Sequence, residues 1–280
     1  WKTQTGVPCV VRTVSWIRAN YPNGVDTPET IRNFIRDAVQ KWGTEYVLLG
    51  GDTPVVPIRY GHTNYYSPDD IPTDLYYQCL DGTWNADGDA IFGEGFWSSS
   101  QIGDFCDLYP DVHLGRLPTN SAADAQIMVA KILAYTRQPP RVFFLMIGRA
   151  LGSVLFPANY HPGDTIQLDG AEVAETALAQ LGPGWSAVRL YEHCPAAPYP
   201  GCLYETKPGV LDSLDAGFGI VHHVGHGFTN TMSVGDQGLT LNNADASGLS
   251  NGNHTFLLYA INCTSSAIDY SCIAERFLLN

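Results

Sequence analysis

The chain has 280 residues, 45% hydrophobic and 11% aromatic, with 28 acidic against 15 basic residues and a formal net charge of −13. That is enough apolar material for one large or two small folded domains, and it excludes a disordered chain. The acidic balance argues against a nucleic-acid partner and favours a basic peptide, and no run of 18 apolar residues is present to span a membrane.

Apolar strands alternate with amphipathic helices along the chain, the pattern of an α/β fold with a largely parallel sheet. The first clear helix is expected at Thr27–Trp42, with Thr27 as its cap and Pro28 in first position. Ile31, Phe34, Ile35, Ala38, Val39 and Trp42 form its apolar stripe. A strand at 46–51 precedes a long stretch rich in Asp, Gly, Tyr and Trp, and another strand is expected at 112–116. A second helix starts at Ser121, has Asp124 in its first turn and ends before Pro139-Pro140. The proline pair sets the expected boundary between a supporting α/β subdomain, 1–139, and a second one, 140–280. The second begins with a run at 142–148 that lacks polar alternation and reads as a buried strand. A helix at 169–181, a strand at 186–192 and a short helix at 207–215 follow. Residues 219–225 and 256–262 read as two more buried strands, and a last helix begins at Cys272.

Seven cysteines are an odd number, so at least one thiol stays unpaired within a monomer. Cys194 and Cys202 bracket the Pro-rich PAAPYPG loop, a natural place for a short disulfide, and Cys79 and Cys106 flank the Asp/Gly-rich stretch in a similar way. In that stretch Asn85, Asp87 and Asp89 alternate, with Glu94 further on and Asp81 before them. Hard oxygen ligands at every second position on a Gly-rich backbone suit Ca²⁺. The spacing departs from an EF-hand, since Ala90 stands where that motif takes Gly and Glu94 comes two residues early; an ordinary solvated acidic loop is the alternative.

Ligands in parallel α/β sheets bind at the carboxyl ends of strands. The run 219–225 leads into His226-Gly227, and 256–262 leads into Cys263. If those strands are neighbours, an imidazole and a thiol face each other, which is what nucleophilic catalysis by cysteine requires. The glycine lets backbone approach a substrate, and its amide suits a developing oxyanion. His222 and His223 alternate across a strand, so both are read as structural.

HHVGHG, FLLYAINC and CIAERFLLN, in that order, resemble the catalytic core of the gingipain-like cysteine peptidases, relatives of caspases and legumains. WGTEYVLLGGD, DGTWNADGDAIFGE and DLYPDVHLGRLP extend the resemblance over nearly the whole chain. The resemblance implies a caspase-like, mostly parallel sheet flanked by helices and a secreted or cell-surface cysteine endopeptidase. It puts the family's histidine on His226, its nucleophile on Cys263 and its oxyanion amides on Gly227 and Cys263, with a thioester acyl-enzyme. It also implies calcium binding and a protein or peptide substrate. In characterised members an acid follows the strand matching VFFLMIG. Here 148–151 reads Gly-Arg-Ala-Leu, so a backbone carbonyl or a helper from elsewhere must orient the histidine. In arginine-specific members an Asp before the next helix binds the guanidinium, a position that Asp164 or Asp169 matches; Asp164 is the candidate, because Asp169 reads equally well as a helix cap. The family's last helix leads into another strand, so a second chain or a C-terminal segment of the same precursor is expected to complete the unit. The competing reading is a catalytically silent caspase-like binding or surface module.

Overall fold

A computed structural model describes residues 2–63, 69–95, 103–104, 106–139, 146–235 and 238–280. The chain divides into two compact units, Trp1–Ala122 and Ala123–Asn280, so the helix ahead of Pro139 belongs with the second.

In the first unit, α1 (Val14–Asn20) and α2 (Thr27–Trp42) are followed by β1 (Tyr46–Gly50), β2 (Arg59–Thr63), β3 (Asp69–Thr73), α3 (Leu75–Gln78) and β4 (His113–Leu117). The apolar stripe of α2 buries Ile31 and Ile35 against Ile17, Leu49, Tyr76 and Tyr77. The helix covers the expected residues, but its cap is Asp26 and not Thr27. Asp26 is extended, so its carboxylate reaches back to accept from the Glu29 amide at 2.9 Å. Thr27 and Pro28 then fill the first turn. β1 and β4 pair in parallel, while the antiparallel β2–β3 hairpin and α3 between them had no sequence signal strong enough to place them. Buried Arg32 donates to the carbonyls of Cys79 and Asp81, and Arg36 to that of Leu80, which anchors the start of the acidic loop on α2.

The second unit opens with α4 (Ala122–Arg137), β5 (Ile147–Gly152), β6 (Val154–Phe156), β7 (Leu168–Asp169), α5 (Gly170–Leu178), β8 (Ser186–Tyr191) and β9 (Leu203–Tyr204). It continues with α6 (Lys207–Ala216), β10 (Ile220–Val224), β11 (Gly227–Phe228), β12 (Thr231–Ser233), β13 (Thr240–Asn242), α7 (Asn243–Ser247), β14 (Leu257–Ile261) and α8 (Ile273–Leu279). Five strands form a parallel sheet in the order β14-β10-β5-β8-β9. On one face Ala150, Tyr191 and Val224 pack against Ala171 and Ala174 of α5. On the other, Leu151, Leu190 and Val221 meet Val210 and Leu214 of α6 and Ile273 of α8. Helices on both faces explain why these strands read as continuous apolar runs.

The strand expected at 142–148 ends later than the sequence suggested. Residues 142–145 lie outside the described residues, and β5 runs through Gly148-Arg149-Ala150-Leu151, which had been placed beyond the strand. Arg149 lies inside β5. It is accommodated mid-strand because its guanidinium lies 3.9 Å over the Phe218 ring and donates to Ser213 Oγ, while burial pulls its pKa down to about 10. The segment past the strand is therefore Ser153-Val154-Leu155.

Candidate active site

β10 and β14 are neighbours, with Val224 paired to Ile261. The ladder closes with the Gly225 amide donating to the Ile261 carbonyl at 3.1 Å. His226 and Cys263 each sit two residues beyond that register pair. A Cβ on Gly227 would lie 2.8 Å from Asn262 Cγ, so only glycine lets the His-Gly turn lie against the Asn262-Cys263 turn. The two segments singled out in the sequence are thus brought together at the carboxyl end of the sheet.

The His226 backbone is held on both sides by β12. Its amide donates to Ser233 Oγ at 2.9 Å, and its carbonyl accepts from the Ser233 amide at 2.9 Å. The ring meets the Leu155 carbonyl through Nε2 at 3.0 Å, with the Phe156 ring edge-on at 6.4 Å. A carbonyl only accepts, so Nε2 carries the proton and a neutral ring keeps its lone pair on Nδ1. One of the two expected ways of orienting the histidine, a backbone carbonyl, is therefore present.

Cys263 is exposed, whereas Cys272 is buried and desolvation raises its thiol pKa. The turn under Cys263 is fixed by Ser265 Oγ donating to Asn262 Oδ1 at 2.5 Å. Below it lies His223, 1% exposed, whose Nε2 donates to the Ser233 carbonyl at 2.9 Å and whose Nδ1 accepts from Asn262 Nδ2 at 3.4 Å. Burial pulls the His223 pKa down to about 4, so it is a neutral strut. His222, on the opposite face, stacks on Tyr259 at 5.3 Å.

Asp164 and Asp169 do different work. Asp169 is the N-cap of α5: it accepts from the Ala171 amide, and its other oxygen meets His193 Nδ1 at 3.0 Å and the Tyr199 hydroxyl at 3.2 Å. Asp164 lies in the loop joining β6 to β7, with Oδ2 accepting from the His161 amide at 2.8 Å and the carboxylate partly open to solvent.

In the acidic loop, carboxylate oxygens of Asp87, Asp89 and Glu94 lie within 4.8 Å of one another. Asn85 braces the group, since its Nδ2 donates to the Asp89 carbonyl at 2.8 Å and its Oδ1 accepts from the Gly88 amide at 2.7 Å. Asp81 stands apart from this group; its carboxyl hydrogen-bonds Asp107, which raises its pKa. Asp104, 1% exposed, was missed in the sequence. It staples the loop by accepting from the amides of Ala86 and Glu94. Three carboxylates this close suit a hard divalent cation. The Glu94 pKa is raised by desolvation and then by Asp89, Asp104 and Asp87, a crowding that a cation would relieve.

Cys194 and Cys202 form the expected disulfide. Cys79 and Cys106 remain separate thiols, and burial pushes Cys106 up to about 11. No helix among the described residues is long and apolar enough to cross a membrane.

Parallel strands in this order, with a histidine and a cysteine at adjacent carboxyl ends, define a gingipain-like α/β architecture. Peptidase family C25 matches residues 1–280, and the chain belongs to that family, the gingipain-like cysteine peptidases. The Arg-specific cysteine proteinase gingipain R superposes with a TM-score of 0.70 at 18% identity, covering 100% of this chain and 54% of its own. A complex of the RgpB pro- and mature domains from Porphyromonas gingivalis gives 0.69 at 17% identity, covering 100% and 55%. An uncharacterised protein of Archaeoglobus fulgidus is 24% identical over 198 residues, 69% of this chain and 41% of that protein. The chain thus spans about half the length of the relatives it matches.

Proposed function

We propose that the chain is the catalytic part of a cysteine endopeptidase, with Cys263 as nucleophile and His226 as acid/base. The observation that carries this reading is the seating of Gly227 against Asn262, which sets the His-Gly turn beside the cysteine turn while Leu155 occupies His226 Nε2. The Cys263 thiol gives its proton to His226 Nδ1 and its sulfur attacks the peptide carbonyl carbon. The amides of Gly227 and Cys263 receive the oxyanion. As the C–N bond breaks, His226 returns the proton to the leaving amine, and a thioester remains. His226 then takes a proton from water, whose oxygen attacks the thioester carbon; the C–S bond breaks, the acid is freed and His226 returns the proton to the Cys263 sulfur.

Further features support finer proposals. The partly open Asp164 carboxylate, beyond the strap that holds His226, suits a substrate Arg or Lys through charge-assisted pairing. Asp87, Asp89 and Glu94, braced by Asn85, suit a structural Ca²⁺, with Asp81 excluded from the first ring of ligands. The Cys194–Cys202 disulfide fits a secreted or cell-surface protein. The outer edge of β14 suits a further strand from another segment of the same precursor, and one structural neighbour is itself a complex of pro- and mature domains.

Labelling with a thiol-directed peptidyl inhibitor, followed by peptide mapping, tests the central reading. The label is expected on Cys263, and Cys263→Ala is expected to lose both labelling and peptide hydrolysis with an unchanged circular dichroism spectrum. Hydrolysis by Cys263→Ala at the parent rate would refute the assignment. An unlabelled, inactive parent would favour a silent binding module.

A further inference from the structure

Leu155 offers His226 a carbonyl, which brings no negative charge, so the bond is only as good as the placement of the strap that carries it. Two glutamates hold that strap. The Glu192 carboxylate accepts from the Val154 amide at 2.7 Å, and its own amide donates to the Gly152 carbonyl at 3.0 Å. Glu205, 3% exposed, accepts from Ser153 Oγ at 3.3 Å, and its amide donates to the Tyr191 carbonyl at 2.9 Å. Consecutive residues of the strap, Ser153 and Val154, are therefore each gripped by one glutamate, and the next residue supplies the carbonyl.

The same pair reaches His226 by a second route. Ser153 Oγ spends its single proton on Glu205, so it accepts from Ser233 Oγ at 2.9 Å, and Ser233 Oγ accepts from the His226 amide at 2.9 Å. All donors in this chain point the same way, from His226 to Glu205, and aligned hydrogen bonds reinforce one another in a dry interior. Gly235, at φ 60°, closes over the pair; a Cβ there would lie 2.5 Å from Glu205 Oε2 and 2.6 Å from Glu192 Cβ. A glycine at 235 is what leaves room for both acids. Burial, and then the neighbouring Glu192, raise the Glu205 pKa well above its usual value.

We propose that Glu192 and Glu205 are positioning residues for His226, fixing its ring through the Leu155 carbonyl and its backbone through Ser153 and Ser233. The proposal rests on the peptidase reading, and a loosened strap misaligns Nδ1 with Cys263. Misplacement by about 1 Å can cost a reaction on the order of 100-fold.

Four proteins test it alongside the parent: Ser153→Ala, Glu205→Leu, Glu205→Gln and His226→Ala. Each is measured for peptide hydrolysis and for the pH dependence of iodoacetamide alkylation at Cys263, followed by peptide mapping. Ser153→Ala and Glu205→Leu are expected to lower kcat roughly 10- to 100-fold with little change in KM. They should also move the low-pH limb of Cys263 alkylation towards that of His226→Ala. Glu205→Gln keeps the shape of the side chain and an oxygen to accept from Ser153 Oγ, and is expected to recover most of what Glu205→Leu loses. If Ser153→Ala lowers the melting temperature but leaves kcat and the alkylation limb at the parent's values, the residues are structural only and the inference fails. It fails too if Glu205→Gln is as impaired as Glu205→Leu, or if the parent shows no His226-dependent limb. A parent that cuts no peptide, yet whose limb depends on His226 and shifts in Ser153→Ala, would sink the peptidase reading and leave the positioning role standing.

Discussion

A histidine bonded to a carbonyl keeps its tautomer but gains no countercharge, so the groups beneath it decide how well it is placed. His223 is one of these. Its pKa is about 4 in the fold against an ordinary 6.5, because the ring is desolvated. The unfolded chain therefore binds this proton more readily than the folded one. The stability His223 contributes is complete above pH 6.5 and is lost as the pH falls from 6.5 towards 4, about 3 kcal/mol in all. Urea midpoints across that window should fall more steeply for the parent than for His223→Gln, which does not titrate; Glu205 is common to both and cancels. Equal slopes would show that His223 does not set this sensitivity. Asp164 makes a second test. A positional peptide library should show Arg or Lys on the acyl side of the cut bond, and Asp164→Asn should weaken that preference about 10-fold or more, as loss of a charge-assisted pair does. A parent preference for Asp, Asn or an apolar residue would remove Asp164 from substrate binding. His226 and Cys263 were legible in the sequence because each follows an apolar run and carries chemistry in its side chain. Leu155 was not, because it acts through a carbonyl that every residue possesses.

Among the elements, the errors have a shared cause. β5 was ended too early, at Gly148, and the Phe218 ring and Ser213 hydroxyl explain how the Arg149 guanidinium sits mid-strand. The cap of α2 fell one residue late because Asp26 and Thr27 are both good capping types, and the backbone chose the first. In both cases the deciding partner lies far away in sequence or in a backbone angle. Helices α2, α4 and α6 were legible because their prolines, first-turn residues and apolar spacing are local. The acidic loop was legible as a composition, but the burial of Asp104, which gives it shape, was not. If Asp87, Asp89 and Glu94 hold Ca²⁺, the folded state gains by mass action, about 2.7 kcal/mol at a hundredfold excess over Kd. The melting temperature should then rise with calcium and fall with chelator. Asp87→Asn combined with Glu94→Gln should abolish that response, since Asn still accepts the Asp89 amide bond but no longer brings charge. Identical midpoints with calcium and with chelator would count against the site.

At the scale of the whole molecule, the two edges of the five-stranded sheet are unlike. β9 contributes two residues, while β14 contributes five, and among the described residues no strand pairs its outer side. Along β14, Leu257, Tyr259 and Ile261 are 58%, 63% and 44% exposed, although Leu258 and Ala260 on the alternate face are partly buried and pack against the core. A soluble protein rarely leaves five residues of unpaired backbone beside an apolar row, because the amides and carbonyls seek another strand and the side chains seek cover. If a further segment of the precursor supplies that strand, the 280-residue chain on its own exposes a surface that will pair with a second copy. Sedimentation should then show association that grows with concentration. Leu257→Lys with Tyr259→Lys should suppress it, because edge lysines oppose strand addition, and Cys263 alkylation should persist in that variant. A parent that remains monomeric at every concentration, with the same sedimentation profile as the double variant, would show that this edge needs no partner.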